Sequence, residues 1–293
     1  MAATRFAVVT GANKGIGFEI VRKLANEGIT VVLTARDEKR GLDAVSKLGK
    51  PNVVFHKLDV RDPASAQSLA QFVKSQFGRL DILVNNAGIP GVVVDQDALK
   101  ALKVHPIDIL YGRKEHKAVQ ENHETAQDCF NTNYYGTKNV LEALLPLLEL
   151  SPYGARVVNV SSNLGGLSGL PNKQTRKEFS DTATLTEEKL DNIIKRFLDD
   201  LKQGKLEKNG WPEITPAYKV SKMAVNGYTR ILAKKYPKML INCVHPGYVD
   251  TDLNWHSGVL TAEQGAQAPV MLAMLPNGGP SGCYFHQKHV ADF

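Results

Sequence analysis

Two side chains that could together supply a proton, Tyr218 and Lys222, stand four residues apart. Residues at i and i+4 lie on one face of a helix, so the lysine ammonium can lie beside the tyrosine phenol. A neighbouring cation favours the ionised phenol and lowers its pKa, which would let the tyrosine donate a proton near neutral pH. Upstream, Ser161 and Ser162 end an apolar segment and add hydroxyl groups. The same spacing occurs on ordinary exposed helices, so its meaning depends on the elements that position it.

Short apolar segments alternate with helical patterns along most of the chain, which predicts parallel strands joined by helices on both faces of one sheet. The predicted strands cover residues 6–10, 30–35, 53–57, 82–85, 156–160 and 240–245. The predicted helices cover residues 16–27, 64–77, 123–148, 216–236 and 262–275. Right-handed connections then give an α/β, doubly wound parallel-sheet Rossmann fold, and we expect residues 1–293 to form a single domain.

Two segments interrupt this alternation and are predicted to be insertions, at about residues 90–122 and 163–216. Within the second, residues 187–201 carry apolar side chains at helical spacing. This pattern predicts an inserted helical flap before Tyr218. The apolar stripe of the flap could cover a hydrophobic substrate or pack as an extra helix on the body of the protein, and the two roles are compatible.

The composition, 43% hydrophobic and 23% charged, is that of a globular protein with a sizeable core. The net charge of +6 is spread without a dense basic cluster, so we expect no nucleic-acid partner. The cysteines and histidines lack the spacing of metal ligands, so we expect no metal. The N-terminus has no signal-peptide pattern, and no apolar run is long enough to span a membrane, so we expect a cytoplasmic protein.

A glycine-rich segment follows the first predicted strand and opens the first predicted helix. Glycine lets the backbone approach a diphosphate closely, and a helix N-terminus offers free N–H groups to an anion. The alternative is a simple tight turn, but this position in an alternating chain favours a dinucleotide site. The predicted site residues are Gly11, Asn13, Lys14, Gly15, Ile16 and Gly17.

The residues after the second predicted strand indicate which dinucleotide binds. The planar fork of Arg36 can hold the 2′-phosphate of NADP(H), and Lys14 adds a second cation nearby. We therefore expect NADP(H), although Asp37 could instead accept a ribose hydroxyl of NAD(H). After the third strand, Asp59 and Val60 are placed to contact adenine. Asp59 could also serve only as a cap.

Together these motifs resemble those of the short-chain dehydrogenase/reductase family and follow the family order along nearly the whole chain. They are Thr10-Gly11-x-x-x-Gly15-x-Gly17, Asn85-Asn86-Ala87-Gly88, Asn133-x-x-Gly136, Ser161-Ser162, Tyr218-x-x-x-Lys222 and Pro246-Gly247. The long segment before Tyr218 and the Asn13-Lys14 pair resemble the branch that contains plant menthone and salutaridine reductases, which is related to animal carbonyl reductases.

The resemblance implies a role for each matched residue. In the catalytic set, Ser162 would polarise a carbonyl oxygen and Tyr218 would protonate it. Lys222 would lower the tyrosine pKa and bind the nicotinamide ribose, and Asn133 would hold a water of the proton relay. The further implied cofactor contacts are Asn85, Ala87, Gly88, Tyr218, Lys222, Pro246, Gly247, Val249 and Thr251.

The implied reaction is NADPH-dependent, reversible reduction of a hydrophobic cyclic ketone, a monoterpenoid or alkaloid of plant specialised metabolism. One alternative is reduction of a conjugated carbon–carbon double bond, which related proteins perform with an acidic residue in place of the tyrosine. Another is a catalytically silent NADPH-binding regulator, which would usually lose part of the catalytic set. The presence of the complete set in this chain favours carbonyl reduction.

The expected substrate pocket lies near the catalytic serine and tyrosine. Its expected walls are Ser162, Leu164, Gly165, Tyr218, Tyr248, Trp255 and the residues just after Gly88. Many family members form tetramers through the helix that carries the tyrosine motif. Because the insertion before Tyr218 resembles one that covers this helix, we expect a monomer.

Overall fold

The centre of the fold is an eight-stranded sheet. The computed structural model describes residues 4–94 and 119–292. The strands are β1 Phe6–Val9, β2 Thr30–Ala35, β3 Val53–Lys57, β4 Ile82–Asn85, β7 Arg156–Val160, β8 Leu240–His245, β9 Tyr284–His286 and β10 His289–Ala291. Their order is β3-β2-β1-β4-β7-β8-β9-β10, with all neighbours parallel except β9 and β10. This topology confirms the predicted α/β, doubly wound fold.

Helices cover both faces of the sheet. They are α1 Gly15–Asn26, α2 Glu38–Leu48, α3 Pro63–Phe77, α4 His123–Phe130, α5 Gly136–Leu148, α6 Lys173–Ser180, α7 Glu187–Lys202, α8 Pro216–Lys235, α9 Ala262–Gly265 and α10 Gln267–Ala273. A π-helix, Asn131–Tyr135, joins α4 to α5, and a two-stranded ladder pairs β5, Val93–Val94, with β6, Val119–Gln120.

The two cores follow from the alternation of side chains along each strand. On β1, Val8 belongs to one buried cluster, whereas Ala7 and Val9 belong to the other. The first cluster joins the sheet to α3, α4, α5 and α8. The second joins the sheet to α1, α2 and α10. The sheet therefore buries both faces, as the continuous apolar strands of the sequence predict.

Five of the six predicted strands have the predicted bounds, and the first ends at Val9 instead of residue 10. Helix α2 was missed because it buries only Gly41 and Ala44, too few positions for a clear apolar stripe. The predicted helix at 262–275 is divided into α9 and α10. Strands β9 and β10 were also missed, since three residues each give little alternation to detect.

Of the first predicted insertion, residues 95–118 lie outside the described residues. The second contains α6 and α7, and it packs on the body of the protein. The apolar stripe of α7 is buried, and the Phe197 ring lies 5.3 Å from that of Phe130 in α4 and 5.2 Å from that of Trp211. On α8, a Cβ at Gly227 would lie 3.1 Å from Leu190 Cδ2, so the two helices approach closely.

Ion pairs at the edge of this contact hold the start of α7 against the body. Lys138 of α5 lies 3.0 Å from a Glu187 carboxylate oxygen and 3.6 Å from one of Asp191. Because these side chains are partly exposed, each pair contributes little, and the apolar contact supplies most of the stabilisation.

Replacement of Phe197 by Ala tests this packing. Removing a fully buried aromatic ring should lower the free energy of unfolding by about 3–5 kcal/mol, because the site cannot collapse completely. Lys195→Ala, on the exposed face of the same helix, is the control. Urea denaturation of both variants measures the difference. Equal stability of the two variants would contradict the packing of α7 on the body.

Candidate active site

A cavity of about 710 Å³ opens at the carboxyl ends of β1, β2, β4, β7 and β8. In an open parallel sheet this edge forms a crevice where the strand order reverses, here between β1 and β4. The volume lies within the range of about 300–1,000 Å³ that is typical of ligand sites. The glycine loop after β1, the ends of the other strands and the start of α8 supply its lining.

The glycine loop requires glycine for conformation and for space. Gly11 and Gly15 have φ values of +61° and +58°, in the left-handed region that favours glycine. A Cβ at Gly17 would lie 2.5 Å from Asn86 Nδ2 and 2.8 Å from the Gly11 carbonyl oxygen. Since α1 begins at Gly15, its first N–H groups are available to an anion in the cavity.

Two neighbouring residues after β2 have different positions. Arg36 is exposed and lines the cavity, and it makes no ion pair with any residue of the two described ranges. Asp37 is outside the lining, and its carboxylate accepts a hydrogen bond from the Arg40 N–H at 2.8 Å to cap α2. An NAD(H) site would depend on the Asp37 carboxylate, which already caps α2, whereas the Arg36 guanidinium belongs to a residue that lines the cavity.

Two further charged residues predicted to contact the cofactor, Lys14 and Asp59, both line the cavity and already have partners. Lys14 forms an ion pair with Asp252, from the loop after β8. Asp59 accepts two hydrogen bonds from the Arg61 guanidinium, which hold the pKa of the carboxyl below its usual range. Asp252 and Arg61 line the cavity as well, so a bound anion would have to compete with Asp252 for Lys14.

The predicted serine, tyrosine and lysine meet at one wall of the cavity. Ser162 lies two residues after the end of β7, and its hydroxyl is hydrogen-bonded to Tyr218. The Lys222 Nζ lies 5.6 Å from the centre of the Tyr218 ring and donates a hydrogen bond to the Val160 carbonyl oxygen at 2.9 Å. The helical spacing therefore places the phenol and the ammonium side by side, and the end of β7 adds the second hydroxyl.

Burial dominates the electrostatics of this group. It raises the pKa of Tyr218 to about 12, although the hydrogen bond with Ser162 acts in the opposite direction. Burial also lowers the pKa of Lys222 to about 8. The expected lowering of the tyrosine pKa by the lysine is thus not found, because removal of the phenolate from water is the largest effect on this pKa.

Asn133 lies behind the cavity in the π-helix between α4 and α5. Its amide oxygen accepts the Ile89 N–H at 2.9 Å, and its amide nitrogen donates to the Ile89 carbonyl at 3.0 Å. The Asn133 carbonyl oxygen accepts the Thr137 hydroxyl at 2.8 Å, a local bond that competes with regular helical bonding. The predicted continuous helix is therefore interrupted at the residue expected to serve the proton relay.

Comparison with known proteins agrees with this geometry. Residues 5–174 match the model of the short chain dehydrogenase family. A (+)-neomenthol dehydrogenase of Arabidopsis thaliana is 50% identical over 296 residues, which cover 99% of this chain and 98% of that protein. The chain belongs to the short-chain dehydrogenase family. It is therefore an oxidoreductase by family.

This short-chain dehydrogenase also resembles two further proteins, one in structure and one in sequence. The solved structure of salutaridine reductase from Papaver somniferum superposes with a TM-score of 0.89 at 46% identity, and covers 96% of this chain and 99% of that one. Carbonyl reductase [NADPH] 3 of Mus musculus is 41% identical over 285 residues, which cover 94% of this chain and 92% of that protein. The resemblance stated from the motifs is confirmed.

Most of the predicted site residues of this short-chain dehydrogenase line the cavity. Those in the lining are Gly11, Asn13, Lys14, Gly15, Ile16, Arg36, Asp59, Val60, Ala87, Gly88, Ser162, Leu164, Tyr218, Lys222, Pro246, Gly247, Tyr248, Val249 and Thr251. Gly17, Asn85, Asn133 and Trp255 are outside it. Gly17 and Asn133 still pack directly behind lining residues, at the glycine loop and at Ile89.

Asn85, predicted to contact the cofactor, is not in the cavity lining. It is buried in β4, and its amide donates to Asn159 Oδ1 of β7 at 2.9 Å. The adjacent Asn86 lines the cavity instead and donates to the carbonyl oxygens of Thr10 and Gly11 at 2.9 Å and 3.1 Å. Successive side chains of a strand point to opposite faces, so Asn85 and Asn86 point in different directions. This alternation could have been used in the sequence to assign only one of the two to the cavity.

The pocket wall also differs in part from the prediction. Leu164 and Tyr248 line the cavity with Ile89 and Pro90, which follow Gly88. Trp255 does not. Gly165 is also outside the lining, because it packs on α8, where an added Cβ would lie 2.9 Å from Lys222 Cβ.

The apolar stripe of α7 does not reach the cavity lining. Of the two roles considered for the stripe, packing on the body is the one found in the described residues, and covering the substrate is not. From the second insertion, only Asn163 and Leu164 lie in the lining. The physical reason is that burial of the stripe against α4 and α8 removes more apolar surface from water than an open cavity could.

Within the ranges 4–94 and 119–292, no group of three or more His, Cys, Asp or Glu side chains is arranged to hold a metal ion. Over the same residues, no helix has the length and apolar character needed to cross a membrane.

Proposed function

We propose that this protein is an NADP(H)-dependent reductase that transfers hydride to the carbonyl of a hydrophobic cyclic ketone. In the reverse direction it would oxidise the corresponding alcohol. The observation that carries the proposal is the meeting of Ser162, Tyr218 and Lys222 on one wall of a cavity that also contains the glycine loop. An acid, a polarising hydroxyl and a dinucleotide cradle in one cavity are the groups that carbonyl reduction requires.

The residues present fit a dinucleotide phosphate. Gly11 and Gly15 free the backbone over the start of α1, and a larger side chain at Gly17 would collide with the loop. Arg36, exposed in the cavity and in no ion pair with a described residue, although its charge also acts on nearby Asp59, would hold a 2′-phosphate. A relative that is 41% identical carries NADPH in its name, which supports the same choice for this chain.

The remaining cofactor contacts are proposed on position in the lining. Asp59 and Val60 would border the adenine, and Ala87 and Gly88 the ribose. Pro246, Gly247, Val249 and Thr251 would border the nicotinamide, in the loop that closes the opposite side of the cavity. When bound, NADPH supplies the hydride for the carbonyl carbon.

The chain itself supplies the proton and stabilises the growing charge. As charge builds on the substrate oxygen, the Ser162 hydroxyl donates a hydrogen bond and Tyr218 donates its proton. A tyrosine with a pKa of about 12 keeps its proton at neutral pH and can still protonate an alkoxide, which is the stronger base. Lys222, mostly protonated below its pKa of about 8, then stabilises the phenolate.

The substrate class is inferred from the wall and from relatives. Leu164, Tyr248, Ile89 and Pro90 present apolar surface beside the catalytic group, which suits a cyclic hydrocarbon skeleton. Relatives named for neomenthol and for salutaridine, a monoterpenoid and an alkaloid, support a ketone of plant specialised metabolism. The presence of Tyr218 favours the carbonyl over a conjugated double bond.

We also infer that the chain is one domain, is monomeric and acts in the cytoplasm. The single large sheet with both cores built on it supports one domain. Helix α7 packs on α8 and covers part of its surface. A covered surface is not available to a second subunit, which supports a monomer.

The Tyr218→Phe variant tests the proposed acid. Loss of the phenolic proton should lower kcat for ketone reduction by about 100- to 10,000-fold while NADPH binding, measured by fluorescence titration, is unchanged. The control is Tyr228→Phe, a buried tyrosine of the same helix outside the cavity, which should keep its activity. Nearly full ketone reduction by Tyr218→Phe would exclude the proposed acid. Activity of the wild type on conjugated alkenes alone would exclude carbonyl reduction.

Replacement of Arg36 by Ala tests the cofactor assignment. Without the guanidinium, the dissociation constant for NADPH should rise by about 10- to 100-fold, because a charged hydrogen bond to the 2′-phosphate is lost. The constant for NADH should change little. Lys39→Ala, an exposed lysine outside the cavity, is the matched control. Equal losses for both dinucleotides would contradict the assignment.

Light scattering of the purified protein tests the assembly. The expected mass is that of one chain, 32.1 kDa, at all concentrations in the micromolar range. A stable dimer or tetramer would show that the chain associates through a surface that α7 leaves open.

A further inference from the structure

Ser221 is a polar residue of the catalytic helix that neither the motif nor the proposed chemistry uses. It stands three residues after Tyr218 and directly before Lys222, and its exposed fraction is 0%. A hydroxyl buried so completely is unfavourable unless its donor and acceptor positions are filled. The partners that fill them show what the residue does.

The Ser221 hydroxyl donates to the Tyr218 carbonyl oxygen at 2.7 Å. Its oxygen accepts the Asn133 amide N–H at 3.0 Å and lies 3.7 Å from the Cys129 sulfur, which can donate weakly. One donor and two acceptor positions are the whole capacity of a hydroxyl. Ser221 is therefore fully engaged: its bond to Tyr218 stays within α8, and the bond that it accepts from Asn133 joins α8 to the π-helix.

The same network continues to the cavity wall. Apart from its bond to Ser221, the Asn133 amide is bonded on both sides to the Ile89 backbone, and Ile89 lines the cavity. A Cβ at Gly88 would lie 3.3 Å from Asn133 Oδ1 and 3.6 Å from Lys222 Nζ. The Asn133 amide and the Lys222 ammonium thus both approach the same point beside Gly88.

We propose that Ser221 is a positioning residue, a hydrogen-bond junction that fixes the catalytic helix relative to Asn133 and thereby sets Tyr218 and Lys222 against the cavity wall. The inference rests on the proposed carbonyl reduction. Without the hydroxyl, one Asn133 N–H keeps only the Cys129 sulfur, a weaker acceptor at 3.3 Å, and the Tyr218 carbonyl loses the hydrogen bond from Ser221. A small shift of the proton donor from the productive geometry then lowers the rate of the chemical step.

The chain contains a matched control for this role. Thr229, also on α8 and also 0% exposed, donates to the Val225 carbonyl oxygen at 2.8 Å and accepts an amide N–H from Asn159 at 2.9 Å. Its bonding is the same in kind as that of Ser221, but its asparagine partner lies in β7, and neither residue lines the cavity. Loss of either hydroxyl should therefore destabilise the fold similarly, and only one loss should affect catalysis.

The experiment compares Ser221→Ala with Thr229→Val in the full-length enzyme loaded with NADPH. Ser221→Ala should lower kcat about tenfold with little change in the KM of the ketone or in NADPH binding, because chemistry and not binding is affected. Thr229→Val should keep the wild-type kcat. Thermal unfolding of both variants reports any general loss of stability. Ser221→Cys, nearly equal in volume but with a weaker donor, should also lower kcat. It replaces the alanine variant in the test if that variant does not fold.

A double-mutant cycle tests whether Ser221 acts through Asn133. In an Asn133→Ala background, Ser221→Ala should lower kcat by less than about twofold, because the connection is already broken. Full additivity of the two effects, or equal kcat values for Ser221→Ala and Thr229→Val, would overturn the inference. These outcomes require only that the wild type reduces a ketone. A wild type inactive on every ketone would instead refute the proposed function.

Discussion

The site depends on the burial of α8, the helix that carries Tyr218 and Lys222. The sheet lies on one side of this helix, and α4 and α7 pack on others, so that even polar residues in its middle turns are shielded from water. A shielded polar group must find a partner within the protein. The positions of Ser221, Asn226, Thr229 and Lys222 are consequently fixed by hydrogen bonds as well as by packing.

These bonds tie the helix to the strand ends that form the cavity. Ser161 donates to Asn226 at 2.6 Å, and Asn226 donates in turn to the Gly165 carbonyl at 3.2 Å. Lys222 donates to the carbonyl of Val160, the last residue of β7. Ser162 and Tyr218 are therefore held against one another by bonds that involve neither the Ser162 hydroxyl nor the Tyr218 hydroxyl. Such support from neighbouring residues fixes a reacting group more tightly than its own contacts could.

Burial also sets the protonation of Tyr218 and Lys222, the proposed catalytic residues. It raises the pKa of Tyr218 and lowers that of Lys222, since both charged forms lose hydration. At neutral pH the tyrosine is thus protonated and the lysine is mostly cationic. For the proposed ketone reduction this combination is useful, because an acid that holds its proton until an alkoxide forms does not lose it to solvent. The lysine contributes a charge close to the phenol without making it acidic in advance.

The sequence alone predicted the fold class, the bounds of five of the six strands that it indicated, the glycine loop and a candidate catalytic set, because each depends on local spacing: apolar runs, glycine positions and the i, i+4 pair. It did not determine which of two adjacent asparagines faces the cavity, that Asp37 caps α2, or that the stripe of α7 packs on α8 instead of the substrate. Nor did it reveal that burial reverses the expected pKa shift of Tyr218. Only the tertiary structure decided these, since burial and long-range hydrogen bonds join residues far apart in the chain, such as Asn133 and Ser221.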